Sequence, residues 1–173
     1  MDYRKLQNGS DIRGVAMEGI EGQAVNLTDE AVQNIASAFV EYLREKFGRR
    51  DVRVAVGRDS RLSGERMLAA VREGVCRMGA ELTDFGIAGT PAMFMCTVTE
   101  GYRFDGAMMI TASHLPWNRN GIKLFTRFGG FEKKDVTALL DRAAAGGFAK
   151  ERRGKFLQTD FLSVYAEGLA DYV

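Results

Sequence analysis

Apolar positions recur with a helical period between Thr28 and Gly48, where Val32, Ile35, Ala36, Phe39, Val40, Leu43 and Phe47 fall on one face. Thr28 is placed to cap this helix, Asp29 and Glu30 suit its positive end, and Gly48 closes it. A short apolar strand over 52–56 then runs directly into the polar loop Gly57-Arg58-Asp59-Ser60-Arg61-Leu62-Ser63-Gly64. The next helix turns Met67, Leu68, Val71, Val75 and Met78 inward, with Ser63 as its cap and Gly79 as its stop. A strand over 81–85 follows. Gly89-Thr90-Pro91, with proline at the first helical position, opens a third helix around 92–99 whose methionines suit core packing.

Further on, Ala107-Met108-Met109-Ile110 is a continuous apolar run of the kind buried on both faces of a sheet, and a second strand covers 122–125. Phe128-Gly129-Gly130 makes a turn, and 132–145 forms an amphipathic helix through Val136, Leu139 and Leu140. The basic run from Lys150 to Lys155 fits a solvated loop, and 159–173 is helical with Phe161, Val164, Tyr165 and Leu169 on one face. Strands alternating with helices predict a three-layer α/β/α sandwich around a mixed, mostly parallel sheet. Ligands of such sheets gather beyond the carboxyl ends of the strands, so the loops after Arg58 and around Ser113 are expected to share one edge.

Composition narrows the function classes. A chain of 173 residues with 46% hydrophobic and 27% charged residues has the make-up of a globular domain, without an apolar run long enough for a bilayer. A net charge of +1 gives no electrostatic reason to expect nucleic acid or a membrane surface as partner. Cys76 and Cys96 stand apart among apolar neighbours and fit reduced core thiols. The first residues lack a hydrophobic signal region, which points to the cytoplasm. His114 is the single histidine, so no zinc site built on several histidines is available and any histidine chemistry falls to it.

The chemistry concentrates in residues 106–125. Thr111, Ser113, His114, Asn118, Arg119, Asn120 and Lys123 sit with Pro116 and Gly121 between the two apolar strands. Ser113 next to His114 invites a hydrolase, but there is no Gly-x-Ser-x-Gly elbow, and adjacent residues rarely reach nucleophile–base geometry. A P-loop is absent too. A phosphorylated serine among cations fits better: Lys123, Arg13 and Arg58 would offset its charge, and phosphoryl transfer needs positioning and charge stabilisation above all.

Thr111-Ala112-Ser113-His114-Leu115-Pro116 followed by Asn120-Gly121-Ile122-Lys123 resembles the active-site loop of the α-D-phosphohexomutases, the phosphomannomutase and phosphoglucomutase family. Asp11-Ile12-Arg13-Gly14, Val56-Gly57-Arg58-Asp59-Ser60-Arg61 and Gly89-Thr90-Pro91 resemble the family's earlier loops in the right order. The resemblance implies domain 1 of a four-domain enzyme over 1–158, with 159–173 a helix leading toward a second domain.

It also implies that Ser113 carries a phosphoryl group and passes it to a hexose phosphate, so that hexose 1-phosphate and hexose 6-phosphate interconvert through a bisphosphate. Lys123 would serve acid/base and charge-stabilising work, Arg13 would support the transferring group, and His114 would orient the loop or the sugar hydroxyl. Arg58 and Asn120 would bind phosphate or substrate. Magnesium would touch the Ser113 phosphate, and hexose 1,6-bisphosphate would act as activator.

The chain departs from the family's usual loop at Leu115 and at Trp117-Asn118-Arg119, and contains no Asp-Gly-Asp-Gly-Asp-Arg magnesium loop. It is therefore expected to be inactive alone, its partners being hexose phosphates and the enzyme's remaining domains. A non-catalytic regulatory or assembly module that kept the fold is the alternative.

Overall fold

The computed structural model describes residues 2–149 and 153–170. A short 3-10 turn, Tyr3–Leu6, leads into strands β1 (Gln7–Asn8) and β2 (Asp11–Val15). Helix α1 (Asp29–Phe47), strand β3 (Arg53–Arg58), helix α2 (Gly64–Cys76), strand β4 (Glu81–Ile87) and helix α3 (Thr90–Met95) follow in alternation. Then come β5 (Gly106–Ile110), β6 (Arg119–Thr126), β7 (Gly129–Gly130), α4 (Lys133–Ala145), β8 (Phe156–Gln158) and α5 (Phe161–Ala170).

The sheet order is β1-β2-β6-β5-β3-β4-β8, with β7 paired to β6. Strands β5, β3, β4 and β8 run parallel. On the other side β6 runs antiparallel to β5 and β2, and β2 to β1. The sheet is thus mixed. Its parallel part comes from the strand–helix alternation, and its antiparallel part arises where β6 returns as a hairpin and the amino-terminal segment adds to it.

Alternation of side chains across the pleat gives each face its own core. One face, with Val54, Val56, Leu82, Met108, Ile110, Ile122 and Leu124, packs under α1, α2 and α4. The other, with Ala55, Phe85, Ala107 and Met109, packs under α3 and the start of α5. This makes the expected three layers.

Local expectations fare unevenly. Thr28 caps α1, its hydroxyl accepting from the Ala31 N–H at 3.2 Å, and Gly48 closes the helix in the left-handed region at φ 63°. Ser63, expected to cap α2, does not: its hydroxyl accepts from the Asn120 amide at 2.8 Å, and the residue is buried. The helix also stops at Cys76, short of Gly79. Asp11-Ile12-Arg13-Gly14, which resembles one of the family's loops, is itself most of β2. The edge strand β8 was not foreseen. Residues 150–152 of the predicted basic loop and 171–173 of the predicted last helix lie outside the described residues. Arg153, the first described residue after 152, pairs with Glu73 at 3.0 Å. The last helix docks through Phe161, stacked on Phe85 with ring centroids 5.0 Å apart and edge-on to Tyr102 at 4.8 Å.

Candidate active site

Strands β3 and β5 lie side by side with Arg58 opposite Ile110, so the loops that follow them emerge together at the carboxyl edge, as expected. The Asp59 N–H donates to the Ile110 carbonyl at 3.1 Å, fixing the two loop origins. Asp59 then reaches across: one carboxylate oxygen accepts from the Thr111 hydroxyl at 2.7 Å, the other from the Arg61 N–H at 3.1 Å. Thr111 Oγ1 in turn accepts the Ser113 N–H at 2.9 Å.

Ser113 sits in the left-handed region at φ 56°, unusual for a residue other than glycine, asparagine or aspartate. That conformation costs about 1–2 kcal/mol, which the surrounding bonds must offset. Both Ser113 and His114 are exposed. They make no hydrogen bond to each other, so the serine–histidine pairing of a hydrolase is not formed.

The cations expected around the serine divide into two groups. By alternation, Asp11 and Arg13 share one face of β2, and Lys123 stands on the same face of β6. Asp11 Oδ2 accepts from both Arg13 Nη2 at 2.7 Å and Lys123 Nζ at 2.6 Å. The aspartate side chain is 12% exposed, the arginine 14% and the lysine 25%, so the three form a half-buried cluster. Gly121 makes room for it. A side chain there would put Cβ 2.3 Å from the Ile12 carbonyl oxygen, 2.9 Å from that of Thr111 and 3.0 Å from Arg13 Cγ. The Thr111 N–H donates to the Gly121 carbonyl, so the reactive loop leaves β5 beside the strand that carries Lys123.

Arg58 points elsewhere. It pairs with Glu65 of α2 and lines a groove of about 690 Å³ with Arg72, Asp84 and Gln158. Asn120 is fully buried, its amide donating to Ser63 and its oxygen accepting the Gly121 N–H at 2.8 Å. It ties the start of β6 to the start of α2.

Sequence reasoning missed the loop's main anchor. Arg61 Nη1 donates to the carbonyls of Pro116 and Arg119, each at 2.9 Å, and Nη2 to those of Ser113 at 2.8 Å and Leu115 at 2.7 Å. The Asp-x-Arg spacing after β3 was the available signal. Behind the loop, the Asn118 carbonyl accepts from the Ala16 and Met17 N–H groups, and Trp117 covers Gly19. This packing fastens the loop to the segment after β2. Among the described residues no cluster of three His, Cys, Asp or Glu is arranged to hold a metal.

Residues 4–150 match the family described as phosphoglucomutase/phosphomannomutase, alpha/beta/alpha domain I. The chain belongs to this family. The phosphoglucosamine mutase of Kineococcus radiotolerans is 36% identical over 138 residues, covering 79% of this chain and 30% of that protein. The phosphoglucomutase/phosphomannomutase of Thermococcus kodakarensis is 38% identical over 137 residues, covering 79% and 28%. The crystal structure of a phosphoglucomutase/phosphomannomutase family protein from Burkholderia thailandensis superposes with a TM-score of 0.79 at 26% identity, over 96% of this chain and 35% of that one. The chain therefore spans about a third of the length of the relatives it matches, and corresponds to the family's domain I.

Proposed function

We propose that the chain is the phosphoserine-bearing first domain of a cytoplasmic phosphohexomutase that interconverts hexose 1-phosphate and hexose 6-phosphate through a bisphosphate. The observation that carries this reading is Ser113, an exposed hydroxyl in left-handed backbone on a loop pinned from below. In the transfer, a sugar hydroxyl oxygen attacks the phosphorus on Ser113 Oγ. The new O–P bond forms as the Oγ–P bond breaks, the sugar hydroxyl loses its proton to a base, and Ser113 Oγ takes one up. The reverse step, from the other end of the bisphosphate, recharges the serine.

The roles follow from placement. Arg13 and Lys123 present positive charge from the edge that borders the loop, where charge on the transferring oxygens needs offsetting, and Lys123 is the acid/base candidate. His114, free of internal bonds, is available to orient a sugar hydroxyl. Asn120 and Arg58 act through the framework rather than on phosphate, because the first is enclosed and the second is engaged with Glu65.

Magnesium, whose hard-cation chemistry would stabilise phosphate charge, needs several oxygen ligands. Among the described residues no such set forms, and the phosphate on Ser113 would supply one oxygen. Hexose 1,6-bisphosphate would load the serine as activator. The later-domain ligands and sugar contacts belong to the rest of the enzyme, with α5 leading toward it, and the isolated chain should show no mutase turnover.

Two assays test this. Turnover of hexose phosphates by the isolated chain, in magnesium and bisphosphate, would overturn the claim of inactivity. Labelling of Ser113 by a fluorophosphonate would favour a hydrolase, whereas the proposal expects none.

A further inference from the structure

We propose that Arg61 is the positioning residue of the reactive loop: by gripping the carbonyls of Ser113, Leu115, Pro116 and Arg119 it sets where the Ser113 hydroxyl stands. Four carbonyl dipoles aimed at one point repel one another, and the loop holds this shape only with a cation at that point. A guanidinium offers five N–H donors in a planar fork. Four of them reach the four carbonyls, and Nε stands 3.4 Å from Asp59 Oδ2. With four donors engaged by the loop and Nε buried beside Asp59 without a hydrogen bond, Arg61 has no exposed donor for phosphate. It therefore acts through Ser113 rather than on the substrate.

The bracket closes on the serine from both sides. Its carbonyl is held by Arg61, and its N–H by Thr111, itself held by Asp59. Asp59 also accepts the Arg61 N–H at 3.1 Å. One short turn after β3 thus fixes the backbone on each side of the nucleophile, and the left-handed Ser113 is the conformation it imposes. Lysine cannot replace the arginine, because its ammonium is a point charge with three donors and cannot span four carbonyls.

The test has two arms, the first on the 173-residue chain. In the first, hydrogen exchange is followed at the Ser113, Leu115 and Arg119 amides, whose hydrogen bonds lie within the loop. The anisotropy of Trp117, the only tryptophan, is followed alongside. In Arg61→Met and Arg61→Lys these amides should exchange at least about tenfold faster and the anisotropy should fall, while β3, β5 and α2 keep their protection. Arg58→Met should leave the loop amides as in the wild type. Unchanged loop exchange, or an equal rise across the whole sheet, would overturn the assignment. If Arg61→Met does not fold, Thr111→Val opens the other side of the bracket and should free the Ser113 amide alone.

The second arm rests on the phosphoserine reading and measures, in the chain joined to the domains proposed to follow it, the rate at which Ser113 gains a phosphoryl group from hexose 1,6-bisphosphate with magnesium. A rate at least about tenfold lower in Arg61→Met supports the positioning role. Equal rates with a loosened loop refute it. A wild-type chain that takes no phosphate counts against the phosphoserine reading, and the exchange result then decides the place of Arg61.

Discussion

Replacing Gly121 by alanine puts the architecture of the site under the most direct strain. The added Cβ would stand 2.3 Å from the Ile12 carbonyl oxygen on one side and 2.9 Å from that of Thr111 on the other. Both are backbone atoms of neighbouring strands, so no side-chain rotation relieves the clash. Ordinary carbon–oxygen contact requires one strand to retreat by roughly 1 Å. The strand that retreats is either β2, with Asp11 and Arg13, or the end of β5 that launches the Ser113 loop. Overpacking typically costs about 1–3 kcal/mol, and with a backbone atom at this distance the upper end, about 3 kcal/mol, applies. For a chain of this size that lowers the melting temperature by about 6–12 °C. Urea unfolding read by circular dichroism and by Trp117 emission measures the loss. A destabilisation below about 1 kcal/mol would show that β2, β6 and β5 do not close as tightly as described.

Other substitutions probe the rest of the frame. Phe161→Ala removes a ring buried against Phe85 and Tyr102 and should cost about 3–5 kcal/mol, with proteolysis of α5 rising first. A neutral result would mean that α5 does not belong to the small core. Burial pushes the Cys96 thiol up to about 12 from an ordinary 9.0. The folded state therefore holds this proton where the unfolded chain releases it, and stability should fall as pH rises above about 9. Native Cys96 should also resist iodoacetamide at pH 8 and react only on unfolding; ready native alkylation would contradict its burial at the end of α3.

How much of this was legible in the sequence depended on whether a feature lived in side-chain periodicity or in contacts with backbone. The buried face of α1 and its Thr28 and Gly48 ends followed from local pattern, because a surface helix writes its core face every three or four residues. Strand β2 did not. Asp11 and Arg13 share their face with Val15, and Ile12 shares the other with Gly14, so over five residues the polar–apolar alternation of a strand is broken on both faces. β8 is three residues long with two exposed, too short for any period to show. Ser63 had the right chemistry and place for a cap, yet the hydroxyl was claimed by Asn120, 57 positions away in sequence. The site itself was legible as a set of residue types, Ser113, His114, Lys123 and Arg13, without its wiring. Asp11 as the shared partner of two cations and Arg61 as the clamp on four carbonyls depend on tertiary contact, and carbonyls look alike in every sequence.

The central claim is that Ser113 carries the phosphoryl group. Localising phosphate by tandem mass spectrometry, after incubating the chain joined to the domains proposed to follow it with hexose 1,6-bisphosphate and magnesium, tests it most directly. The account predicts phosphate on Ser113, none in Ser113→Ala, and slower loading in Lys123→Ala and Arg13→Ala. No phosphate on the chain, or phosphate on another residue that persists in Ser113→Ala, would contradict it.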